Sequence, residues 1–226
     1  GARHARVKLN MLLTHRALPN LHEHIAVQNW HIMVHMLEAL GLSTTDVPGH
    51  PPAPDLSAFC DGAPQQLVIV HPGASREYKR WPMDRYVSLA NALVDDTEVC
   101  FIKQGHDAEK ALHTEVRLVQ PTSLRDFIAL MGRASLFIGN NSGPMNIASA
   151  LGIPGIVFCG PSTPNWDPAW HADRFHLLRD TGLRCQPCDK CDHPVNRCQN
   201  SASPMACMLK WSVDQVHELA VARLKK

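Results

Sequence analysis

From Gln66 onward the chain repeats one pattern: a short apolar run, a cluster of turn residues, then apolar residues at helical spacing. LVIVHPG opens it as a buried strand. Asp84 to Val94 follows with Tyr86, Leu89, Ala90, Leu93 and Val94 on one helical face. EVCFIK (Glu98 to Lys103) is the next strand, Asp107 to His113 a short helix, and Glu115 to Val119 a further strand. Ser123, with Asp126 three residues on, caps a helix carrying Leu124, Phe127, Ile128 and Met131. SLFIG (Ser135 to Gly139) is a strand, Ser142 to Leu151 a small-residue helix stopped by Gly152, and Gly155 to Cys159 a strand ending at GPSTP. Strands apolar along their whole length are buried on both faces, and parallel neighbours need a crossover, here a helix. The pattern therefore predicts an α/β fold with a Rossmann-like parallel sheet. Strand order is not legible at this level.

On either side the chain changes character. Residues 1–47 carry one clear helical pattern, with Val27, Trp30, Val34, Leu37 and Leu40 on one face and Gly41 as its stop. Too thin for a domain, this stretch is expected to be the remnant of a preceding one. Residues 48–65 begin with PGHPPAP, an extended, proline-rich linker. Residues 66–226 hold the regular pattern, then a tail rich in Pro, Cys, Asn and Asp between 160 and 210. A final helix begins at Ser212, with Gln215 completing a capping box and Val213, Val216, Leu219, Ala220 and Leu224 as its apolar stripe.

A total of 226 residues suits one large domain, or one domain and part of a second. Twenty-two basic against 21 acidic side chains leave a net charge of +1, which excludes a strongly basic nucleic-acid binder. No apolar run reaches the roughly 18 residues of a membrane helix, and the first residues lack the apolar core of a signal peptide. The chain starts at Gly1, as expected of one processed, tagged or cut from something longer.

Three loops at strand ends have unusual composition, and in open parallel sheets ligands bind there. HPGASREYKRWP offers a hydroxyl at Ser75 and charge at Lys79 and Arg80, which suits an anionic ligand; an ordinary polar loop holding a packed tryptophan has the same residues. GNNSGPMNIASALG places two glycines and Ser142 at a helix start, where free N–H groups and the helix dipole cradle phosphate; a tight turn capped by Asn141 or Ser142 is the plainer alternative. CGPSTPNWDP is either a lid or a rigid connector.

In this order, HPGAS…KRWP followed by SLRDFIALMGRASLFIGNNSGPMNIASALGIPGIVFCGPSTP resembles the nucleotide-sugar-binding half of glycosyltransferase family nine, the ADP-heptose:lipopolysaccharide heptosyltransferases. CQPC and a later Cys-Met before a helix are similar to that family's tail. The resemblance implies the C-terminal domain of a GT-B fold, and an inverting transfer of heptose from ADP-heptose to a lipid A–Kdo type acceptor of the lipopolysaccharide inner core. It implies no required metal. Carried over, Ser75 and Lys79 would hold the diphosphate, and Lys79 would also act in catalysis by offsetting charge as ADP leaves. Glu109 would take the ribose hydroxyls, Thr122 would lie near the adenine, and Asn141, Ser142, Gly143 and Asn146 would form the second phosphate and sugar loop.

Two residues depart from the family pattern: Asn141 stands where Asp is usual, and Asn146 where His is usual. An Asn141→Asp change is expected to improve donor recognition if the family geometry holds. The general base of the family lies early in the N-terminal domain, so no residue of this chain is assigned to it. The acceptor would bind through that domain, and the enzyme would be cytoplasmic, at the inner face of the inner membrane. Two other readings remain open, a non-catalytic nucleotide-binding module and a metal-stabilised interaction domain.

The last reading comes from the cysteines. Eight are present; Cys60, Cys100 and Cys159 are scattered, while Cys185, Cys188, Cys191, Cys198 and Cys207 cluster. Close C-x-x-C pairs bind one tetrahedral ion, so a structural zinc or iron competes with a loop of reduced thiols; His193 would be a nitrogen ligand. Among the histidines of the first 50 residues (His4, His15, His22, His24, His31, His35 and His50), His31 and His35 share a helical face without a third ligand and read as solvated.

Overall fold

Six parallel strands form one sheet in the computed structural model, which describes residues 20–60, 65–189 and 195–225. They are β1 (Leu67–His71), β2 (Glu98–Ile102), β3 (Arg117–Val119), β4 (Leu136–Asn140), β5 (Gly155–Phe158) and β6 (Phe175–Leu178), in spatial order β3-β2-β1-β4-β5-β6. The order runs outward from β1 in both directions. Between β1 and β4 the direction of winding reverses, and a crevice opens beyond their carboxyl ends. Register there is Val68 to Leu136, Ile69 to Phe137, Val70 to Ile138 and His71 to Gly139. Gly139 permits this approach: a Cβ on it would stand 2.9 Å from the His71 carbonyl oxygen.

Side chains of successive strand residues point to opposite faces, so each face has its own core. On one, Val68, Val70, Val99, Phe101 and Ile138 pack beneath helices α2 (Met83–Leu93) and α6 (Val213–Leu224), which contribute Tyr86, Leu89, Leu93, Val216 and Ala220. On the other, Leu67, Ile69, Cys100, Phe137 and Val157 meet α3 (Leu124–Met131) and α4 (Gly143–Ala150) through Phe127, Met131, Met145 and Ala148. A short helix, α5 (Ala206–Leu209), brings the tail back onto the first face, where Met208 is buried.

The chain divides into two units between Pro52 and Ala53. In the first, α1 (Ile25–Ala39) begins at His24, whose Nδ1 accepts from the Ala26 amide at 3.1 Å. It closes with Gly41 at φ +74°, the Leu42 amide donating to Leu37 O at 3.0 Å and the Gly41 amide to Glu38 O at 2.9 Å. This is the Schellman closure that a glycine after the helix allows.

Two elements differ from the sequence expectation. Asp107–Ala111 is 3-10 rather than α-helical, a form suited to so short a connector. β6 lies in the tail where no period was legible. It is four residues long, half-buried at its centre and paired only with β5, so its pattern is too short to stand out from the irregular residues around it. The expected role of Cys191 and His193 falls outside the described residues.

Candidate functional site

The β1–α2 loop is fixed from below by Asn140, the last residue of β4 and fully buried. Its Oδ1 accepts from the Trp81 amide and the Tyr86 hydroxyl, each at 3.0 Å. Its Nδ2 donates to Pro72 O at 2.8 Å and Gly73 O at 3.3 Å. One amide side chain thus satisfies groups on both sides of the loop, in a setting where an unpaired polar atom is costly. Trp81 stacks on Phe158 with ring centroids 4.5 Å apart. From above, Arg80 folds back to donate to Ala74 O through Nε at 2.9 Å and through a guanidinium NH2 at 2.6 Å.

Across the crevice, α4 starts at Ser142 with Pro144 in its first turn and no acidic residue there. Its free amides and dipole face the cleft uncompensated. A Cβ on Gly143 would meet nothing within 4 Å, so a ligand can approach the backbone at that point.

These two loops line a cleft of about 800 Å³. Ser75, Lys79, Asn141, Ser142, Gly143 and Asn146 all lie on it, together with Gln104, Ser162, Trp166 and Asp189. Among the described residues of the lining, Lys79 and Asp189 are the charged side chains, and they pair with each other. Glu109 and Thr122 are not on the lining. The Glu109 carboxylate is buried beneath the Gln104–Gly105 turn, accepting from the Gln104 amide at 2.5 Å and the Gly105 amide at 3.2 Å. It braces the turn that carries Gln104. Thr122 turns away to donate to the Asp126 carboxylate, which this bond and Ser123 hold below the usual carboxylate range.

His71 lines this cleft and also a neighbouring slot of about 420 Å³, walled by Ile102, Pro121, Leu124, Phe127, Pro144 and Ile147. Burial lowers its pKa to about 4. The imidazole is therefore neutral at physiological pH. A polar cleft with a lysine and a helix start, beside an apolar slot, has the division of a nucleotide site: anion on one side, flat base on the other.

Asn141 is tied to a residue that the sequence did not single out. Its Nδ2 donates to Asp167 Oδ1 at 3.1 Å, and Arg179 pairs with the same oxygen at 2.5 Å. A carboxylate at position 141 would face a carboxylate. Asp167, Arg179 and Asp189 come from the irregular tail, and no periodicity pointed to them.

Cys185, Cys188, Cys198 and Cys207 line one small enclosed pocket of about 10 Å³, alongside Tyr78. Burial, then the neighbouring thiols, raises the pKa of Cys188 and pushes that of Cys207 to about 11. Cys198 Sγ accepts from the Met205 amide at 3.3 Å. Among the described residues no three such groups are close enough to hold an ion as arranged.

A family model described as glycosyltransferase family 9 (heptosyltransferase) matches residues 2–198. Lipopolysaccharide heptosyltransferase 2 of Escherichia coli K12 is 30% identical over 102 residues, covering 40% of this chain and 29% of that protein. Its namesake in Salmonella typhimurium is 28% identical over 125 residues, covering 50% and 36%. The chain spans well under two thirds of these relatives. Among solved structures, E. coli ADP-heptose heptosyltransferase II superposes with a TM-score of 0.55 at 24% identity, over 75% of this chain and 49% of that one. The iron-containing heptosyltransferase TibC of enterotoxigenic E. coli, solved with ADP-D-β-D-heptose, gives 0.57 at 20% identity, over 82% and 51%. At these identities the superpositions speak for the fold, a half of the GT-B type. The match over most of its length, on the strand order and loops described above, makes this chain a member of glycosyltransferase family 9.

Proposed function

We propose that the chain is the donor-binding half of an inverting glycosyltransferase that moves heptose from ADP-heptose to an acceptor of the lipopolysaccharide inner core. The observation that carries this reading is the pairing of the Ser75–Lys79 loop with the start of α4 across the β1/β4 crevice, beside an apolar slot. The diphosphate would lie between Lys79 and the free amides at Ser142 and Gly143, and the adenine in the slot flanked by Phe127 and Pro144. As the glycosidic bond to the diphosphate breaks, negative charge grows on the leaving oxygen, and Lys79 with the helix dipole stabilises it. Asn146 and Trp166 would meet the sugar. The acceptor and the general base belong to the other GT-B half, placing the reaction at the cytoplasmic face of the inner membrane. Among the described residues no helix is long and apolar enough to cross a membrane.

Calorimetric titration with ADP, UDP and GDP tests the reading. Selective ADP binding is expected. Equal or absent binding of all three would remove it.

A structural zinc or iron in the tail is a second reading, supported by the single pocket shared by four thiols and by the iron-containing relative TibC. Binding would require the raised thiols to lose protons, so metal uptake should release protons and strengthen with pH. Elemental analysis giving about one equivalent, with lower thermal stability after chelation, supports it; a metal-free chain of unchanged stability excludes it.

A further inference from the structure

Lys79 does not wait free for a ligand. Its ammonium is paired with the carboxylate of Asp189, and both side chains are mostly shielded from solvent. Asp189 arrives from the cysteine-rich tail, directly after Cys188. Its backbone is bridged to Ser162, and its amide donates to Pro161 O at 3.0 Å. Its second carboxylate oxygen, Oδ1, accepts from the Val195 amide at 3.2 Å, and Val195 O in turn accepts from the Tyr78 hydroxyl at 2.6 Å. The tail is thus fastened to the Ser75–Lys79 loop at two neighbouring residues, Tyr78 and Lys79.

The charges give the consequence. Within the described lining of the cleft, Lys79 and Asp189 are the ionised side chains, and they cancel. Among these described groups a diphosphate meets no net charge, and a carboxylate already holds the ammonium it would need. Like charges at that range, poorly screened, exclude joint occupancy.

We propose that Asp189 is an internal competitor of the donor diphosphate for Lys79, so that nucleotide binding and release of the tail turn at Cys188–Asp189 are one event. The inference rests on the proposed nucleotide site and adds to it what sets its affinity: a carboxylate of the tail that must leave before the phosphates enter. It also gives the cysteine-rich segment a direct line to the donor, because Cys188 is the covalent neighbour of the residue that moves.

The test compares wild type with Asp189→Asn, which keeps shape and removes charge. ADP should bind the variant about tenfold or more tightly, the size of one charged hydrogen bond regained by Lys79. A second readout needs no substitution: mass-spectrometric mapping of maleimide labelling should show Cys188 reacting faster in wild type when ADP is bound. If wild type binds ADP but Asp189→Asn binds it equally or more weakly, or if ADP leaves Cys188 labelling unchanged or slower, the competition is overturned while the nucleotide site stands. If wild type binds no ADP, the nucleotide reading falls and the competition with it.

Discussion

At the scale of single residues, the site depends on groups whose charge state is set by their neighbours. His71 is the clearest case. Its folded pKa of about 4 lies below the unfolded value of 6.5, so between those values the unfolded chain binds more protons. Stability from keeping the imidazole neutral is fully present above pH 6.5 and is lost as pH falls toward 4. The loss approaches about 3 kcal/mol if the whole shift is realised. Urea denaturation at pH 7 and pH 4.5, on wild type and His71→Phe, checks the prediction: the variant should lack that share of the acid sensitivity. Asn141 gives a prediction of opposite character. Asn141→Asp replaces a hydrogen bond to Asp167 by a contact between two carboxylates beside Arg179. A loss of about 1–2 kcal/mol at neutral pH, recovered in part as the pair takes up a proton, is expected from thermal unfolding. Lys79→Ala should weaken ADP binding in calorimetry, though by less than the roughly 1.5–3 kcal/mol of one charged hydrogen bond if Asp189 already competes for it.

At the scale of elements, the β1–α2 loop keeps its form because β4 ends in an asparagine. Asn140→Leu would leave the Trp81 amide, the Tyr86 hydroxyl and the Pro72 carbonyl without their partner in a dry interior. A destabilisation of about 3–5 kcal/mol follows from those unpaired groups together. Tyr86→Phe removes one donor and leaves Asn140 Oδ1 bonded to Trp81, so about 1 kcal/mol is expected. Equal losses in denaturant titrations of the two variants would show that Asn140 is not the hub. Such a hub is hard to see in a sequence. Its residue type is ordinary, and its partners lie far along the chain. The strands and helices were legible because apolar runs and helical spacing are local signals, and so were the two loops that carry Ser75, Lys79 and Ser142 to Asn146. Glu109 and Thr122 were placed near a ligand by position, yet each is engaged by a neighbour four or five residues away. Asp167, Arg179 and Asp189 reach the site only through the folding of an aperiodic tail, and the strand order that brings β1 beside β4 is a property of contacts, not of spacing.

At the scale of the whole molecule, the proposed function separates binding from chemistry. The cleft, the slot and their supports all belong to the unit from Ala53 onward, and that unit contains the complete sheet. An inverting transfer also needs a base to take the proton of the acceptor hydroxyl, on the face of the sugar opposite the leaving diphosphate. The carboxylates on or beside the cleft have other partners: Asp189 holds Lys79, Asp167 holds Arg179 and Asn141, and Glu109 holds a turn. Among the described residues, none of these is placed as a free base. The chain as it stands should therefore bind ADP-heptose yet transfer no heptose to a lipid A–Kdo acceptor, while Lys79→Ala weakens the binding. Calorimetry with ADP-heptose and a coupled assay for released ADP would measure the two properties on one preparation. Acceptor-dependent release of ADP from this chain alone would show that a base lies within these residues after all, and Asp189, freed from Lys79 when the donor binds, would be the first carboxylate to replace.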